Sequence, residues 1–292
     1  MQKPLIHPAW ARAPHGITEG YSLEMTAKDT QSLRAASPTI PADTPVAVTF
    51  LPGEDPGARV ATTVAVCELG FEPMPHFSAR RITSQSAFED YLNAVVEKAG
   101  VRRCFVIAGD PAQPEGPFAD SSALIATGAF ERAGIKAIGI GGHPEGHPNM
   151  TAQQCWDVID AKLAEIDRRG MAGLIVTQFA FDADGVLAWL AALRARGVET
   201  PVRIGIPGPA SIKALLRFAA RCGVGASASV LRKYGISIAN LIGSAGPDRL
   251  VDTFAAGLGE AHGRVRLHFY PFGGLVRTVE WINDYERRQG LI

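Results

Sequence analysis

The four cysteines of this 292-residue chain, Cys67, Cys104, Cys155 and Cys222, are scattered and never form a CxxC pair. That spacing argues against a zinc knuckle and against a disulfide framework. Cys67 and Cys104 have apolar neighbours in sequence and are expected to be small core residues. Charge of one sign is missing as well. Twenty-nine basic and 29 acidic residues cancel, so no global field favours nucleic acid or an anionic membrane. No uninterrupted apolar run approaches the roughly 20 residues of a membrane span. The opening Met1-Gln-Lys-Pro-Leu-Ile-His-Pro-Ala-Trp10 holds no apolar core long enough for a signal peptide. A cytoplasmic protein with reduced thiols is expected.

Several catalytic signatures are absent too. There is no Gly-x-Ser-x-Gly and no phosphate loop of the Walker type. No GxGxxG separates the first strand from the first helix, which counts against a Rossmann domain. Gly139-Ile-Gly-Gly142 is glycine-rich, but it runs into His143-Pro144 rather than a helix.

What is present is organised around Gly173-Leu-Ile-Val-Thr-Gln-Phe-Ala-Phe-Asp182. Leu174, Ile175 and Val176 form an apolar run that reads as a strand buried on both faces. Polarity breaks in at Thr177 and Gln178, and Asp182 starts a helical pattern. A buried strand ending in an amide puts a donor and an acceptor where parallel α/β folds bind ligands. The other reading of Gln178 is an amide hydrogen-bonded to loop backbone.

The same pattern recurs along the chain. Strands are expected over residues 21–25, 45–50, 71–76, 103–110, 136–142, from 173, over 201–206 and over 264–270. Helices are expected to about residue 36, then over 58–69, 84–98, 118–133, 151–169, 182–196, after Ser211, over 247–262 and from 275 to the end. Eight strands alternating with about eight helices, without an internal linker, indicate a single (β/α)8 barrel. Residues 1–292 are expected to form one domain, with residues 1–20 as an N-terminal arm and a helix at the C-terminus.

In that register the strand C-ends present Glu24, Thr49, His76, Asp110, His143 with His147, Gln178 and Tyr270, which a barrel gathers at one mouth. Each has a bland alternative. Glu24 is either functional or an exposed strand-end carboxylate, Asp110 either functional or a turn cap, and the two histidines either ligand-binding or held by Pro144 and Pro148. His143, Glu145 and His147 suggest a metal, but their proline-broken loop denies the i, i+4 helical face of a zinc site, and none is expected. Carboxylates, an amide and imidazoles beside Phe179, Phe181, Phe218 and Tyr270 suit a planar, polar heteroaromatic ligand. Asp110 and Gln178 would bond its edge, leaving Glu24 to give or take a proton. Arg80 and Arg81 beside the mouth read either as an anion-binding pair or as solvated surface.

These residues resemble the methylenetetrahydrofolate reductase family of (β/α)8 barrels. Ser22-Leu-Glu24 is similar to the family's first strand, and the resemblance makes Glu24 the general acid. Ala47-Val-Thr-Phe50 and Pro75-His76 resemble the second- and third-strand motifs, and Gly109-Asp110-Pro111 resembles an Arg-Gly-Asp-Pro motif beside flavin and pterin. Pro144-Glu-Gly-His-Pro148 is close to a Tyr-Pro-Glu-x-His-Pro motif. Thr177-Gln-Phe-Ala-Phe-Asp182 is the most specific match and implies that Gln178 bonds the pterin. Phe218 falls where the family stacks an aromatic on the aminobenzoyl ring, and Tyr270 falls at the substrate end.

By the same resemblance Thr49, His76, Ala108, Gly109, Asp110, Asp120, Ser121, His143 and His147 fall on positions around FAD. Several of them depart from the pattern. Ala108 replaces an arginine, Asp120-Ser121 a Tyr-Ala pair, His143 a tyrosine and Trp156 an aspartate, while His76-Phe-Ser-Ala-Arg80 replaces a His-Leu-Thr-Cys motif. Tyr270-Pro-Phe-Gly-Gly274 lacks an arginine offered to substrate. The resemblance thus implies reduction of 5,10-methylenetetrahydrofolate with NAD(P)H, or the reverse oxidation, with FAD in between. Two alternatives remain: a flavin-free version with direct hydride transfer, and a folate-binding accessory barrel without redox activity. A tetrahydrofolate-type small molecule is the expected partner, with no nucleic acid or membrane, and apolar helix faces leave room for a second copy of the chain.

Overall fold

The computed structural model describes residues 15–225 and 244–292. Most of the N-terminal arm expected over residues 1–20 therefore lies outside the described residues. Eight parallel strands close into a barrel: β1 (Ser22–Met25), β2 (Pro45–Val48), β3 (Glu72–Ser78), β4 (Arg103–Ile107), β5 (Ala137–Gly142), β6 (Ala172–Phe179), β7 (Val202–Pro207) and β8 (Val265–Tyr270). Each pairs with its neighbours in sequence, and β8 returns to pair with β1 through Ser22 with His268 and Leu23 with Phe269. The closure is a (β/α)8 barrel, as the count of apolar runs indicated.

The helices are α1 (Thr30–Ala36), α2 (Pro56–Glu68), α3 (Gln85–Ala99), α4 (Ser121–Ile125), α5 (Ala129–Arg132), α6 (Ala152–Arg168), α7 (Ala183–Ala195), α8 (Ile212–Cys222), α9 (Asp248–Gly257) and α10 (Leu275–Arg288). Polar side chains start several of them by accepting a free N–H of the first turn. Asp55 caps α2, Ser84 caps α3 and Ser211 caps α8, while Thr151 and Gln154 close a capping box on α6. Of Asp182 and Asp184, it is Asp182 that caps α7.

Three sequence expectations are corrected. The helix expected over 118–133 is two short ones, because Gly128 adopts a left-handed φ of 75° between them. The helix expected to His262 stops at Gly257, where Leu258 turns extended before a short 3-10 turn over Glu260–His262. Cys67 is exposed rather than in the core, because it lies on the outward face of α2, whereas Cys104 on β4 is fully buried.

Strand alternation builds the barrel interior in layers. At the N-terminal end Glu72 of β3 holds Arg103 of β4 through two contacts of 2.9 and 3.0 Å. Arg203 of β7 completes this layer and donates to the carbonyls of Gly20 at 2.9 Å and Leu267 at 3.3 Å. Burial pushes its guanidinium down to about 9, with Glu72 pulling it back up. Burial likewise raises the Glu72 carboxyl above its usual range, and Arg103 and Arg203 oppose the rise. Above this layer Ala47, Met74, Phe105 and Val176 pack as a separate apolar cluster. The polar residues of the mouth stand on that floor.

The charged layer makes a testable demand on stability. Glu72→Gln leaves Arg103 and Arg203 without their carboxylate and should cost roughly 3 kcal/mol, as breaking one partner of a buried pair does. A urea unfolding midpoint indistinguishable from that of the unmodified chain would show that the pair contributes nothing net.

Candidate functional site

At the C-terminal end of β1, Glu24 places its carboxylate between two imidazoles. Oε2 lies 3.7 Å from Nε2 of His76 on β3 and 3.6 Å from Nε2 of His268 on β8. These separations are too long for formed hydrogen bonds. The carboxyl, 19% exposed, is therefore surrounded by nitrogen yet free to turn toward a ligand. His76 rests on Phe105, ring centroids 4.7 Å apart. Burial pushes its imidazole down to about 4, with Glu24 opposing and His268 adding to the shift. His76 is therefore neutral at neutral pH.

His268 is the site residue that sequence reasoning missed. It is 1% exposed, and its Nδ1 lies 2.8 Å from the Ser22 hydroxyl. That hydroxyl is also 3.4 Å from the Leu267 carbonyl. When Ser22 donates to Leu267, Nδ1 must carry the ring proton and Nε2 offers Glu24 a lone pair. When Ser22 donates to Nδ1, Nε2 becomes the donor. A serine rotor thus decides what Glu24 meets. Two-residue periodicity puts His268 on the same strand face as Tyr270, and that signal was available in the sequence.

Gln178 owes its position to a break in the ladder. The register of β6 against β7 shifts between Val176 and Phe179, a bulge that frees the intervening residues. The Thr177 hydroxyl accepts the Gly205 N–H at 2.9 Å, and the Tyr270 hydroxyl donates to the Thr177 carbonyl at 3.0 Å. A Cβ on Gly205 would stand 2.7 Å from that carbonyl, so only glycine admits the bulge. The half-buried Gln178 side chain bonds backbone, its Oε1 accepting the Phe179 N–H at 3.1 Å. Tyr270 commits its hydroxyl to the same bulge, and burial raises that phenol well above its usual range.

The bulge also corrects the aromatic lining. Phe179 and Phe181 are each 1% exposed and belong to the core. Phe218 of α8 is half-buried and stacked on Phe272, centroids 4.1 Å apart and planes 14° from parallel. One of its faces is therefore already covered by a residue that the sequence did not single out.

The remaining expected residues spread along one rim. Thr49 donates its N–H to the Met25 carbonyl at 2.9 Å, and its buried hydroxyl has no hydrogen-bond partner. Ala108 accepts the Arg80 N–H at 2.8 Å. Gly109 has φ of +93°, and a Cβ there would run into the Ser78 hydroxyl. Asp110 is not drawn into the Glu24 cluster. Its side chain is 73% exposed and pairs with Arg81 at 3.5 Å. The Asp120 carboxylate caps α4 by accepting the Ala123 N–H at 2.9 Å, and Ser121 is sealed inside with its hydroxyl unpartnered.

Arg80 and Arg81 are neither a solvated pair nor anion traps. Arg80 donates to the Ala119 carbonyl at 2.7 Å and the Pro111 carbonyl at 3.2 Å, while Arg81 reaches Glu115 and Asp110. Together they brace the loop between β4 and α4. His143 and His147 face each other at 4.8 Å. Burial pushes His143 down to about 4, with His147 and Lys162 adding to the shift. Burial also lowers the Lys162 ammonium of α6 to about 8, against the pull of Asp120.

This donor set does not fit a resident flavin. A tightly held FAD needs dedicated partners for its ring edge and its two phosphate charges. Here Ala108 offers only a methyl, Arg80 is occupied by carbonyls, and Asp120 brings like charge to a diphosphate. The hydroxyls of Thr49 and Ser121 are closed off. Among the described residues no three His, Cys, Asp or Glu side chains gather as a metal site, and no helix is long and apolar enough to cross a membrane.

Neutral His76 makes stability depend on pH. Its pKa in the folded state, about 4, lies below the ordinary 6.5, so the unfolded chain binds more protons between these values. Stability is then full above about pH 6.5 and falls by up to about 3 kcal/mol as pH drops toward 4. Urea midpoints at pH 7 and pH 5 should show the loss, and His76→Gln should reduce it. An equal slope in the mutant would refute this account.

Comparison with known proteins places this geometry. The family model described as methylenetetrahydrofolate reductase matches residues 34–271. Methylenetetrahydrofolate reductase 2 of Saccharomyces cerevisiae is 28% identical over 165 residues, 54% of this chain and 26% of its own length. Methylenetetrahydrofolate reductase (NADH) 1 of Zea mays is 26% identical over 163 residues, 52% of this chain and 27% of its own. The matched stretch thus spans about a quarter of these relatives. In three dimensions the chain is similar to the dihydropteroate synthase of Thermus thermophilus, with a TM-score of 0.50, 14% identity, and 93% and 94% of the two chains covered. It is also similar to an uncharacterised Clostridium thermocellum protein that binds two copies of 5-methyl-5,6,7,8-tetrahydrofolic acid. That match has a TM-score of 0.56 and 10% identity, and it covers 93% and 95% of the two chains. At such identities these two likenesses speak for the fold alone.

Proposed function

The chain belongs to the methylenetetrahydrofolate reductase family, and on that premise we propose that it interconverts 5,10-methylenetetrahydrofolate and 5-methyltetrahydrofolate, with NAD(P)H as hydride source. The observation that carries the reading is the carboxyl of Glu24, poised at the barrel mouth between His268 and a His76 that is neutral at neutral pH. In the reducing direction Glu24 gives its proton to the bridging nitrogen of the substrate. The carbon–nitrogen bond of the bridge breaks, leaving an iminium whose exocyclic carbon accepts a hydride and becomes a methyl group. The nicotinamide is oxidised by the same two electrons. Glu24, 19% exposed at the mouth, regains its proton from solvent, while Ser22 sets the tautomer of the His268 ring beside it.

The other residues position the substrate. Gln178, freed by the bulge, turns its amide from Phe179 to the pterin edge. The open face of Phe218 receives the aminobenzoyl ring, with Phe272 supporting it from behind. Asp110 meets the ligand from the rim. Holding the carbon toward the donor in this way is catalysis largely by orientation. The named reductases of the family support the ligand class. Because the rim does not suit a resident flavin, hydride passes directly from nicotinamide to folate. A dinucleotide that arrives and leaves at each turnover needs fewer fixed donors than a permanently held one.

Two experiments test the reading. Glu24→Gln should lower kcat by roughly 10²- to 10⁴-fold, the usual contribution of a general acid, with folate affinity little changed, and full activity in that variant would sink the assignment. An absorbance spectrum of the purified protein after incubation with FAD and gel filtration should show no flavin bands. Retained bands would restore the flavin route.

A further inference from the structure

Glu145 stands in the Pro144-Glu-Gly-His-Pro148 loop after β5, and the mechanism above does not use it. Its carboxylate receives backbone N–H groups from two distant segments. Gly225, just past the end of α8, donates to Oε2 at 2.8 Å. Phe181 and Asp182, between β6 and α7, bring their own N–H groups within hydrogen-bonding reach. The approach is close enough that a Cβ on Gly225 would stand 3.2 Å from Oε2. Beside it Gly223 ends α8 with a left-handed φ of +67° and rests against the ring of Pro148, where a Cβ would be 3.1 Å away. Gly146, with φ of +88°, turns the loop through a bond from its N–H to the His143 carbonyl at 3.0 Å.

We propose that Glu145 is a positioning residue, a three-way clamp that sets the β6 bulge and helix α8 relative to each other and so spaces the two walls of the folate site. This role rests on the folate reading above. The two clamped segments carry the groups assigned to opposite ends of the ligand. Gln178 lies three residues before Phe181, and Phe218 lies one helical turn before Cys222, the last residue of α8. Strand pairing does not join these segments, since β6 pairs with β5 and β7 and α8 follows β7. A carboxylate is suited to join them. Ionised, it is an acceptor only, with room for several N–H donors, and such charge-assisted bonds are about twice as strong as neutral ones. Burial raises this carboxyl above its usual range, while the N–H groups of Gly225, Phe181 and Asp182 hold it down. The donors thus favour the charged form that binds them.

Hydrogen exchange followed by mass spectrometry tests the clamp on the intact chain. Glu145→Ala should speed exchange in peptides covering residues 178–184 and 219–225, with the peptides of β1 to β4 unchanged. Glu145→Gln keeps the shape and one acceptor oxygen, and should give an intermediate effect if the alanine variant folds poorly. In titrations with 5-methyltetrahydrofolate, the alanine variant should bind about tenfold more weakly, the loss expected for about one hydrogen bond to a charged group. Unchanged exchange in both peptides would overturn the clamp. Faster exchange with unaltered folate affinity would overturn its positioning role. If the unmodified chain binds no folate, the functional reading fails, and the exchange pattern alone then decides whether Glu145 joins the two segments.

Discussion

A carboxyl group held inside a barrel between two buried imidazoles, His76 and His268, is the constraint on which the mouth depends. Desolvation opposes protonation of His76 more strongly than Glu24 favours it, so the cluster does not collapse into a buried ion pair. The distances of 3.6 and 3.7 Å agree with groups that are adjacent but not locked. A tight salt bridge would have tied the carboxyl to a structural role. Keeping it loose requires neighbours that are rigid for other reasons, and the rest of the interior supplies them. His76 leans on Phe105, His268 is anchored through Ser22, and both stand above an apolar layer that rests on the Glu72, Arg103 and Arg203 network.

The loops follow the same division between bracing and exposure. The β4 rim is held by Arg80, Arg81, Asp120 and the tight turn at Gly109, so residues that resemble a cofactor-binding set are largely occupied with one another. The β6 rim is instead opened by a bulge that Gly205 permits, which leaves Gln178 bonded to its neighbouring N–H. One side of the mouth is thus self-satisfied and the other is available. This asymmetry, more than any single substitution, sets the rim apart from one whose donors are free to hold a resident flavin.

Much of this was legible along the chain, and the reasons are local. Apolar β-branched runs such as Leu174-Ile-Val176 have few alternatives to a buried strand, and eight of them spaced by helical patterns close a barrel. Strand C-ends gather Glu24, His76 and Tyr270 at one mouth, and period-2 alternation says which side chains share a strand face. The same rule pointed to His268, whose meaning appeared only when β8 paired with β1 and brought it to Ser22 and Glu24. Phe179 and Phe181 were misplaced because a bulge resets which residues face inward, and alternation cannot anticipate that.

By itself, then, the sequence determined the elements, the closed parallel sheet and the family, because strand and helix periodicity, capping residues and motifs are properties of neighbours in the chain. Tertiary structure alone decided where each polar group directs its hydrogen bonds. That Asp110 pairs with Arg81, that Arg80 donates to two carbonyls and that Glu145 receives N–H groups from two distant segments depends on partners that lie in other loops. Those choices are made by competition for nearby donors and acceptors in space, and no spacing along the chain records them.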